Sequence, residues 1–216
     1  CPPQELRAMP MACERVKKVK ESRLASKSPP TRKLADTPTR FHVENMPKGN
    51  YLVIPEVSSE RRQFIPIGFE KPETLASNLV KVMPDAELFH FGILNSTMHN
   101  AWTRNVCGRM KSDYRYSVGI VYNNFPWPPN ITIQQKQAIE EAAEEILRVR
   151  SMHKHSSLAD LYDPVSMPPD LIKSHRELDR AVDKAYSSSN GKKKWLSDAE
   201  RVAFLFDLYE TISRTA

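Results

Sequence analysis

The chain has 216 residues, 40% of them hydrophobic and 27% charged, which predicts a folded protein of one large domain or two modest ones. No apolar run approaches the ~20 residues of a membrane helix, and the basic N-terminus lacks the apolar core of a signal peptide, so we expect a cytoplasmic protein without membrane partners. The three cysteines, Cys1, Cys13 and Cys107, show no metal or disulfide spacing and are predicted to be reduced thiols.

The net charge of +6 is unevenly distributed. Residues 1–40 contain ten Lys or Arg and four Asp or Glu, whereas residues 41–130 and 131–216 are nearly balanced. A concentrated basic segment is typical of proteins that bind a polyanion, such as nucleic acid or a membrane surface. A solvated basic helix without a partner would have the same composition.

In chain order, the first predicted element is a basic helix over residues 14–24 with a narrow apolar stripe. Residues 26–41 are predicted to be extended or loop-like, because each of Pro29, Pro30 and Pro38 disfavours helix at the residue before it. The Ser, Thr, Lys and Arg side chains of this segment suit phosphate contacts, although a simple linker is the alternative.

The middle of the chain, residues 41–130, is predicted to be a mixed α/β domain. Four β-rich runs predict strands at residues 51–55, 62–67, 88–94 and 116–122. Helices are predicted near residues 74–82 and 96–106, the second capped by Asn95 or Ser96.

Residues 131–216 are predicted to form a small helical bundle. Capping-box spacings at Thr132/Gln135 and Ser197/Glu200 predict two helix starts, and a third helix is predicted after Pro168. A short turn near residues 158–162 and a Ser- and Lys-rich loop over 187–194 connect them. The predicted fold class is therefore α+β, with a basic leading segment (1–40), a sheet-and-helix domain (41–130) and an all-α region (131–216).

The sequence contains none of the common catalytic or cofactor motifs that we sought. Glycine-rich phosphate loops and G-x-S-x-G are absent, and His153 and His155 have no neighbouring ligand set for a metal. The string "NNFPW" at residues 123–127 has the wrong order for the N-P-P-[YF] loop of adenine methyltransferases. We therefore predict no catalytic, cofactor-binding or metal-binding residue in this chain, and its start at Cys1 rather than Met suggests a fragment.

One short segment has a pattern with a chemical interpretation. If residues 111–115 form a strand, Lys111, Asp113 and Arg115 point to one side, about 7 Å apart. Lysine can donate to N7 and O6 of guanine, aspartate can accept from N4 of cytosine, and arginine can read a guanine or hold a phosphate. An ordinary solvent-facing strand is the competing interpretation.

Several long strings resemble one known family. "HFGILNSTMHNAWTRNVCGRMKSDYRYSVGIVYNNFPWP" resembles the target-recognition region of MmeI-like DNA methyltransferases, relatives of single-chain type II restriction-modification enzymes. "YLVIPEVSSERRQFIPIGF" is similar to the body of that region, and "SLADLYDPVSMPPDLIKSHRELDRAVDKAY" to the family's C-terminal helical domain. The resemblance spans nearly the entire chain.

The resemblance implies that this chain helps a larger enzyme to select double-stranded DNA. Full-length members carry an upstream adenine-N6 methyltransferase domain that uses S-adenosylmethionine, and some carry a nuclease. Base reading is then expected from Lys111, Asp113 and Arg115, with a looser assignment for Leu79. Phosphate contacts are expected from a wider set: Arg15, Lys17, Lys18, Lys27, Thr31, Arg32, Lys33, Arg61, Arg62, Arg104 and Arg109. The parent enzyme, rather than this fragment, is expected to hold the cofactor and the activity.

Two other classes of function remain open from the residues alone. The chain could be a stand-alone, general nucleic-acid-binding module, or a protein-interaction module whose basic helix docks onto an acidic partner. The "FPWP" string is expected to be a rigid joint between the predicted recognition sheet and the C-terminal helices.

Overall fold

The computed structural model describes residues 3–42, 44, 47–190 and 195–215. Its contacts divide the chain into two units, Cys1–Met46 and Pro47–Ala216. The first unit contains α1 (Pro3–Arg7), α2 (Pro10–Leu24), α3 (Pro29–Lys33) and a 3₁₀ turn (Leu34–Asp36). The basic helix is thus confirmed as α2, but the extended conformation predicted for 26–41 is wrong for its first half. Pro29 and Pro30 occupy the first turn of α3, where a missing N–H is tolerated.

The second unit contains two small antiparallel sheets and six helices among its described residues. The first sheet has the order β3-β1-β4, and the second the order β2-β6-β5. The strands are β1 (Tyr51–Pro55), β2 (Val57–Ser58), β3 (Gly68–Glu70), β4 (Val80–Pro84), β5 (Gly108–Met110) and β6 (Asp113–Arg115). The helices are α4 (Leu88–Asn95), α5 (Thr97–Val106), α6 (Ile133–Met152), α7 (Leu158–Leu161), α8 (Pro169–Asn190) and α9 (Asp198–Thr215). A π-helical turn, Val118–Tyr122, follows β6. The predicted α+β class with a helical C-terminal region is confirmed.

The strand predicted over 88–94 is wrong, because these residues form α4. The run is apolar throughout, and such a run has no period that separates a buried strand from a buried helix. A capping box decides for the helix: Glu87 accepts from the backbone N–H of His90, whose ring accepts from the N–H of Glu87. Gly92 lets α4 approach α6 closely, since a Cβ there would lie 2.7 Å from a methyl group of Ile139.

Two further predicted strands and one predicted helix are also wrong. Residues 62–67 form no strand. The side chain of Asn100 accepts from the N–H of Ile65 at 3.0 Å, in place of the carbonyl of a neighbouring strand. Residues 116–122 turn into the π-helical segment rather than continuing β6. The helix predicted near 74–82 is a loop followed by β4, which pairs with β1 along its full length.

The C-terminal helices are confirmed, and α6 and α9 begin near the predicted caps. Thr132 and Gln135 form the expected reciprocal box, and the N–H of Glu200 donates to Ser197 Oγ. Helix α8 extends through 187–190, so the first half of the predicted Ser/Lys loop is helical, and residues 191–194 lie outside the described ranges. No helix within those ranges is long and apolar enough to cross a bilayer.

A buried hydrogen-bond network joins the C-terminal helices to the sheet region. Arg150 of α6, only 9% exposed, donates from Nη1 to the carbonyl of Ile67 at 2.7 Å and from Nε to the Tyr162 hydroxyl at 2.8 Å. It also donates to the side chain of Asn95 and lies over the ring of Phe91. We call Arg150 and these four partners the Arg150 network.

Candidate nucleic-acid interface

The segment singled out by the sequence forms a β-hairpin. Strands β5 and β6 pair antiparallel from Gly108↔Arg115 to Met110↔Asp113, which leaves Lys111 and Ser112 as a two-residue tip. Strand β6 is the central strand, because β2 pairs with its other edge. The hairpin therefore holds Asp113 and Arg115 at alternate positions of a strand supported on both sides.

The predicted row of three is wrong for Lys111, which belongs to the tip rather than to β6. Its φ of 58° lies in the left-handed region, where a hairpin tip ordinarily carries glycine. Lysine has no local stereochemical advantage over glycine there. The side chain is exposed and has no hydrogen-bond or ion-pair partner in the part of the chain that the structure describes.

Asp113 links the hairpin to the loop between β2 and β3. Its Oδ1 accepts from the backbone N–H of Glu60 at 3.2 Å. The next residue in that loop, Arg61, is exposed, and its guanidinium has no partner among the described residues. Asp113 therefore fixes a loop that carries a free cation beside the hairpin.

Arg115 is oriented by a buried carboxylate. Its Nε donates to Glu56 Oε1 at 3.0 Å, and Lys81 Nζ donates to Glu56 Oε2 at 2.7 Å. These hydrogen bonds, that of Lys81 first and that of Arg115 second, hold the pKa of Glu56 below its usual value. The Arg115 side chain remains 56% exposed, so its two terminal nitrogens are directed by an anchored Nε and stay accessible to a ligand.

Leu79 contacts the backbone of the same residue, Glu56. Its carbonyl accepts from the backbone N–H of Glu56 at 2.9 Å, and its side chain is 59% exposed just before β4. The structure thus brings Leu79, Glu56 and Arg115 together although they are far apart in the sequence. We call these residues and Lys81 the Glu56 cluster.

The hairpin is anchored to the core immediately after Arg115. Tyr116 donates its N–H to the carbonyl of Glu56 at 2.7 Å, and its buried hydroxyl lies 3.1 Å from Nε2 of His99 on α5. Burial lowers the pKa of His99 to about 3, so its ring is neutral at ordinary pH. Burial also raises the pKa of Tyr116, so the hydroxyl stays protonated and can donate to Nε2 while Nδ1–H donates to the carbonyl of Leu94.

The remaining arginines of this unit that are predicted to contact phosphates differ in how far other residues already engage their side chains. Arg104 bonds Asp198 at 3.0 Å and the carbonyl of Gln63, which makes it a bridge to α9. Arg109 donates to the carbonyl of Ser112 at 3.0 Å and stacks on Tyr114, with 4.2 Å between its Cζ and the ring centroid. Arg62 is partly buried. Of the predicted phosphate contacts in this unit, Arg61 is therefore the most available.

In the first unit, the predicted phosphate contacts fall into two groups. Arg32 is occupied, because its Nη1 donates to the carbonyls of Ser26 and Lys27 at 2.9 and 3.0 Å, and Lys18 pairs with Glu14 at 2.8 Å. Thr31 is half-buried. The other predicted cations are exposed, and their side chains have no partner within the described ranges: Arg15, Lys17, Lys27 and Lys33.

Sequence reasoning missed Glu56 and Lys81. The sequence carries a weak indication of both, since each is a charged residue inside an otherwise apolar strand pattern, "VIPEV" and "LVKVM". A charge at such a position is costly unless it is paired, so a partner elsewhere in the fold was to be expected. The identity of that partner depends on the pairing of β1 with β4, which brings Lys81 opposite Ile54.

Known proteins match nearly the whole chain. Residues 2–129 match the family described as "MmeI, target recognition domain", and residues 131–216 match "MmeI, C-terminal domain". The chain is 40% identical over 210 residues to DNA methyltransferase A of Bacillus subtilis (strain 168), covering 97% of this chain and 23% of that protein.

A solved structure agrees with the fold. The type IIL restriction-modification enzyme MmeI, determined in complex with DNA, superposes with a TM-score of 0.89 at 49% sequence identity. The match covers 98% of this chain and 28% of that one, so the chain spans about a quarter of the length of the relatives it matches. The chain therefore belongs to the MmeI family and consists of its target-recognition and C-terminal domains.

Proposed function

We propose that this chain selects a specific double-stranded DNA sequence for a larger, S-adenosylmethionine-dependent adenine-N6 DNA methyltransferase. The Glu56 cluster beside the β5–β6 hairpin is the observation that carries the proposal, because it holds an exposed arginine in a fixed orientation on a supported strand. Two relatives support it: one is named a DNA methyltransferase, and the other was determined with DNA. Methyl transfer and cofactor binding are assigned to the remainder of the larger enzyme.

Within this function, Arg115 is a guanine reader. Arginine recognises guanine through two parallel donors to O6 and N7, and this geometry needs a guanidinium whose plane is fixed. Glu56 supplies that constraint by binding Nε and leaving the terminal nitrogens exposed. Leu79, at the same cluster, contributes apolar contact to the base position that Arg115 reads.

Lys111 and Asp113 read a neighbouring base pair. Asp113 uses one carboxylate oxygen to hold the Glu60 loop, which leaves the second oxygen to accept from N4 of a cytosine. Lys111, at the exposed tip, donates to the paired guanine. The strained backbone at Lys111 fits a residue retained for its side chain rather than for the turn.

The phosphate contacts are assigned according to the freedom of each cation. Arg15, Lys17, Lys27, Lys33 and Arg61 have no competing partner among the described residues and are the principal contacts. Lys18, Thr31, Arg32, Arg62, Arg104 and Arg109 are secondary contacts. Three divisions follow for the chain: residues 1–40 follow the DNA backbone, 41–130 read bases, and 131–216 brace the reader.

The test replaces Lys111→Glu together with Asp113→Arg in the complete enzyme and determines the methylated sequences. We expect the selected base to change at one position while the methylation rate at the new site stays within about tenfold of the original. Asp113→Asn is the matched control, since its amide oxygen can still accept from the N–H of Glu60, while the second oxygen becomes an NH2 donor that cannot accept from cytosine. A uniform loss of methylation at all sequences would assign these residues a structural role only.

Binding measurements separate the competing functions. A sharp preference for one short duplex with strong salt dependence supports the proposal, because phosphate contacts release counterions and base contacts give the preference. Equal affinity for any polyanion would favour a general nucleic-acid-binding module. Binding to an acidic protein but to no DNA would favour an interaction module.

A further inference from the structure

Exposed apolar side chains lie on two elements that contact a buried tryptophan of the second unit. Trp102 of α5 is 2% exposed, and its ring centroid lies 5.0 Å from that of Phe206 and 6.3 Å from that of Tyr209 on α9. Its Nε1 donates at 3.0 Å to the carbonyl of Val121, in the π-helical turn. Two exposed residues of that turn, Val118 and Ile120, complete what we call the Trp102 patch.

The patch exposes large side chains that its neighbours hold in place. Val118, Ile120, Phe206 and Tyr209 are 44%, 53%, 46% and 37% exposed. The turn is fixed by Asn124, whose Nδ2 donates to the carbonyls of Gly119 and Ile120 at 3.0 and 3.1 Å. π-helical turns are rare and occur frequently at functional sites. Because the rings of Phe206 and Tyr209 already pack against Trp102 and the backbone of the turn is fixed, little conformational entropy is lost when a partner covers them.

The charge of helix α9 disfavours DNA as the occupant of the patch. Helix α9 carries four acidic residues, Asp198, Glu200, Asp207 and Glu210, against two arginines. An apolar surface on an acidic helix is unfavourable beside phosphates but typical of contact with another protein domain. The protein surface that must be near this chain belongs to the rest of the larger enzyme, since relatives matched over 97–98% of this chain are about four times its length.

We propose that the Trp102 patch is the docking surface for the methyltransferase domain of the same polypeptide. This inference rests on the proposed function, because it takes the partner from the larger enzyme. Docking through α5 ties the patch to base reading: Trp102 and His99 lie on the same helix, and His99 bonds Tyr116, which directly follows Arg115. The contact thus fixes the position of the β5–β6 hairpin relative to the catalytic domain, which methylates the sequence that the hairpin selects.

Hydroxyl-radical footprinting compares this chain alone with the complete enzyme, without DNA. We expect oxidation of Phe206 and Tyr209, normalised to the 83%-exposed Val165, to fall at least about fivefold in the complete enzyme. Equal oxidation in the two samples would overturn the proposal. So would protection of the isolated chain by DNA, or protection that rises with its concentration, which would identify DNA or a second copy as the occupant.

A substitution with a matched control tests the same surface by activity. A Cβ added at Gly119 or at Gly49 meets no atom within 4 Å, so the first carbon of a Gln side chain causes no clash at either position in the isolated chain. In the complete enzyme, Gly119→Gln is expected to lower methylation at least about tenfold and to leave DNA affinity within about threefold, whereas Gly49→Gln changes neither. Unchanged methylation by Gly119→Gln would contradict the docking role. Failure of the unsubstituted chain to prefer one DNA sequence would instead count against the proposed function. The footprinting comparison without DNA tests the docking surface independently of that function.

Discussion

Two arginines of the second unit occupy opposite surroundings. Arg115 is about half exposed and is paired with a carboxylate at its Nε, while its terminal nitrogens face solvent. Arg150 is buried, and its hydrogen-bond partners among the described residues are neutral oxygens: the Ile67 carbonyl, the Tyr162 hydroxyl and the Asn95 amide. Arginine therefore has two different environments in this unit: the guanidinium of Arg115 keeps its terminal nitrogens exposed, whereas that of Arg150 is fully engaged in holding buried segments together.

This difference predicts that changes in the Arg150 network alter stability, whereas changes at the hairpin alter base choice. The largest effect is expected from Arg150→Ala, which should lower the free energy of unfolding by about 3–5 kcal/mol. The loss follows because the carbonyl of Ile67 and the amide of Asn95 lose a buried donor, and the rings of Phe91 and Tyr162 lose packing. Denaturant unfolding measures it.

Arg148→Ala is the matched control for that prediction. Arg148 lies two residues earlier on α6, and its ion pair with Glu145 is exposed, so its removal should change stability by less than about 0.5 kcal/mol. Equal effects of the two substitutions would mean that the buried network contributes no more than a surface pair.

A second, smaller loss is expected where α4 contacts α6. Gly92→Ala should lower the free energy of unfolding by about 1–3 kcal/mol, because the new methyl would lie 2.7 Å from Ile139 and 3.3 Å from Leu178. Alanine's better helix propensity, worth about 1 kcal/mol, offsets part of this cost. Gly49→Ala, in open space, is the comparison in the same denaturation experiment; a stabilised Gly92→Ala would show that the helices can separate without loss.

The support beneath the hairpin should be sensitive to acid. The pKa of His99 is lowered by burial to about 3, while the unfolded chain takes up a proton near the ordinary value of about 6.5. The stability that neutral, buried His99 contributes is therefore fully present above pH 6.5 and is lost as the pH falls below that value. Between pH 6.5 and 5 the loss should be about 1.5 kcal/mol.

Comparison with His99→Gln isolates that contribution. Burial raises the pKa of Asp179 to about 6, which opposes His99 in the same range, but this effect cancels in the difference between the two proteins. Unfolding measured at both pH values should show the unsubstituted chain losing more stability than the variant. A difference that does not change with pH would mean that His99 is not neutral and buried.

The smallest effect on stability is expected at the hairpin tip. Lys111→Gly should raise the free energy of unfolding by about 0.5–1 kcal/mol, because glycine adopts a φ of 58° without strain. The same change should weaken specific DNA binding, since the reading ammonium is lost. Lys111→Ala separates the two effects: it should weaken binding equally and leave the backbone strain in place. A tip substitution that strengthens both properties would contradict the assignment of Lys111 as a reader.

Some elements of the fold could be predicted from the sequence and others could not, for physical reasons. Helices α2, α5, α6, α8 and α9 carry an amphipathic stripe, a capping signal or both, which are local properties, and all were predicted. The three predicted strands that failed lie in short apolar runs, where the choice between helix, strand and turn depends on what packs against them. The run over 62–67 is the clearest case, because the side chain of Asn100 from α5 takes the place of a neighbouring strand.

The sequence by itself determined the α+β class, the helical C-terminal region, the basic first segment and, through long characteristic strings, the family. These properties depend on local pattern and on the order of motifs along the chain. Only the tertiary structure decided that Lys111 lies at a strained hairpin tip and that Leu79 and Arg115 both contact Glu56. It also decided that Arg104 and Arg150 hydrogen-bond to segments distant in the sequence. The reason is physical: whether a cation is free or occupied depends on oxygen atoms that distant segments bring to it.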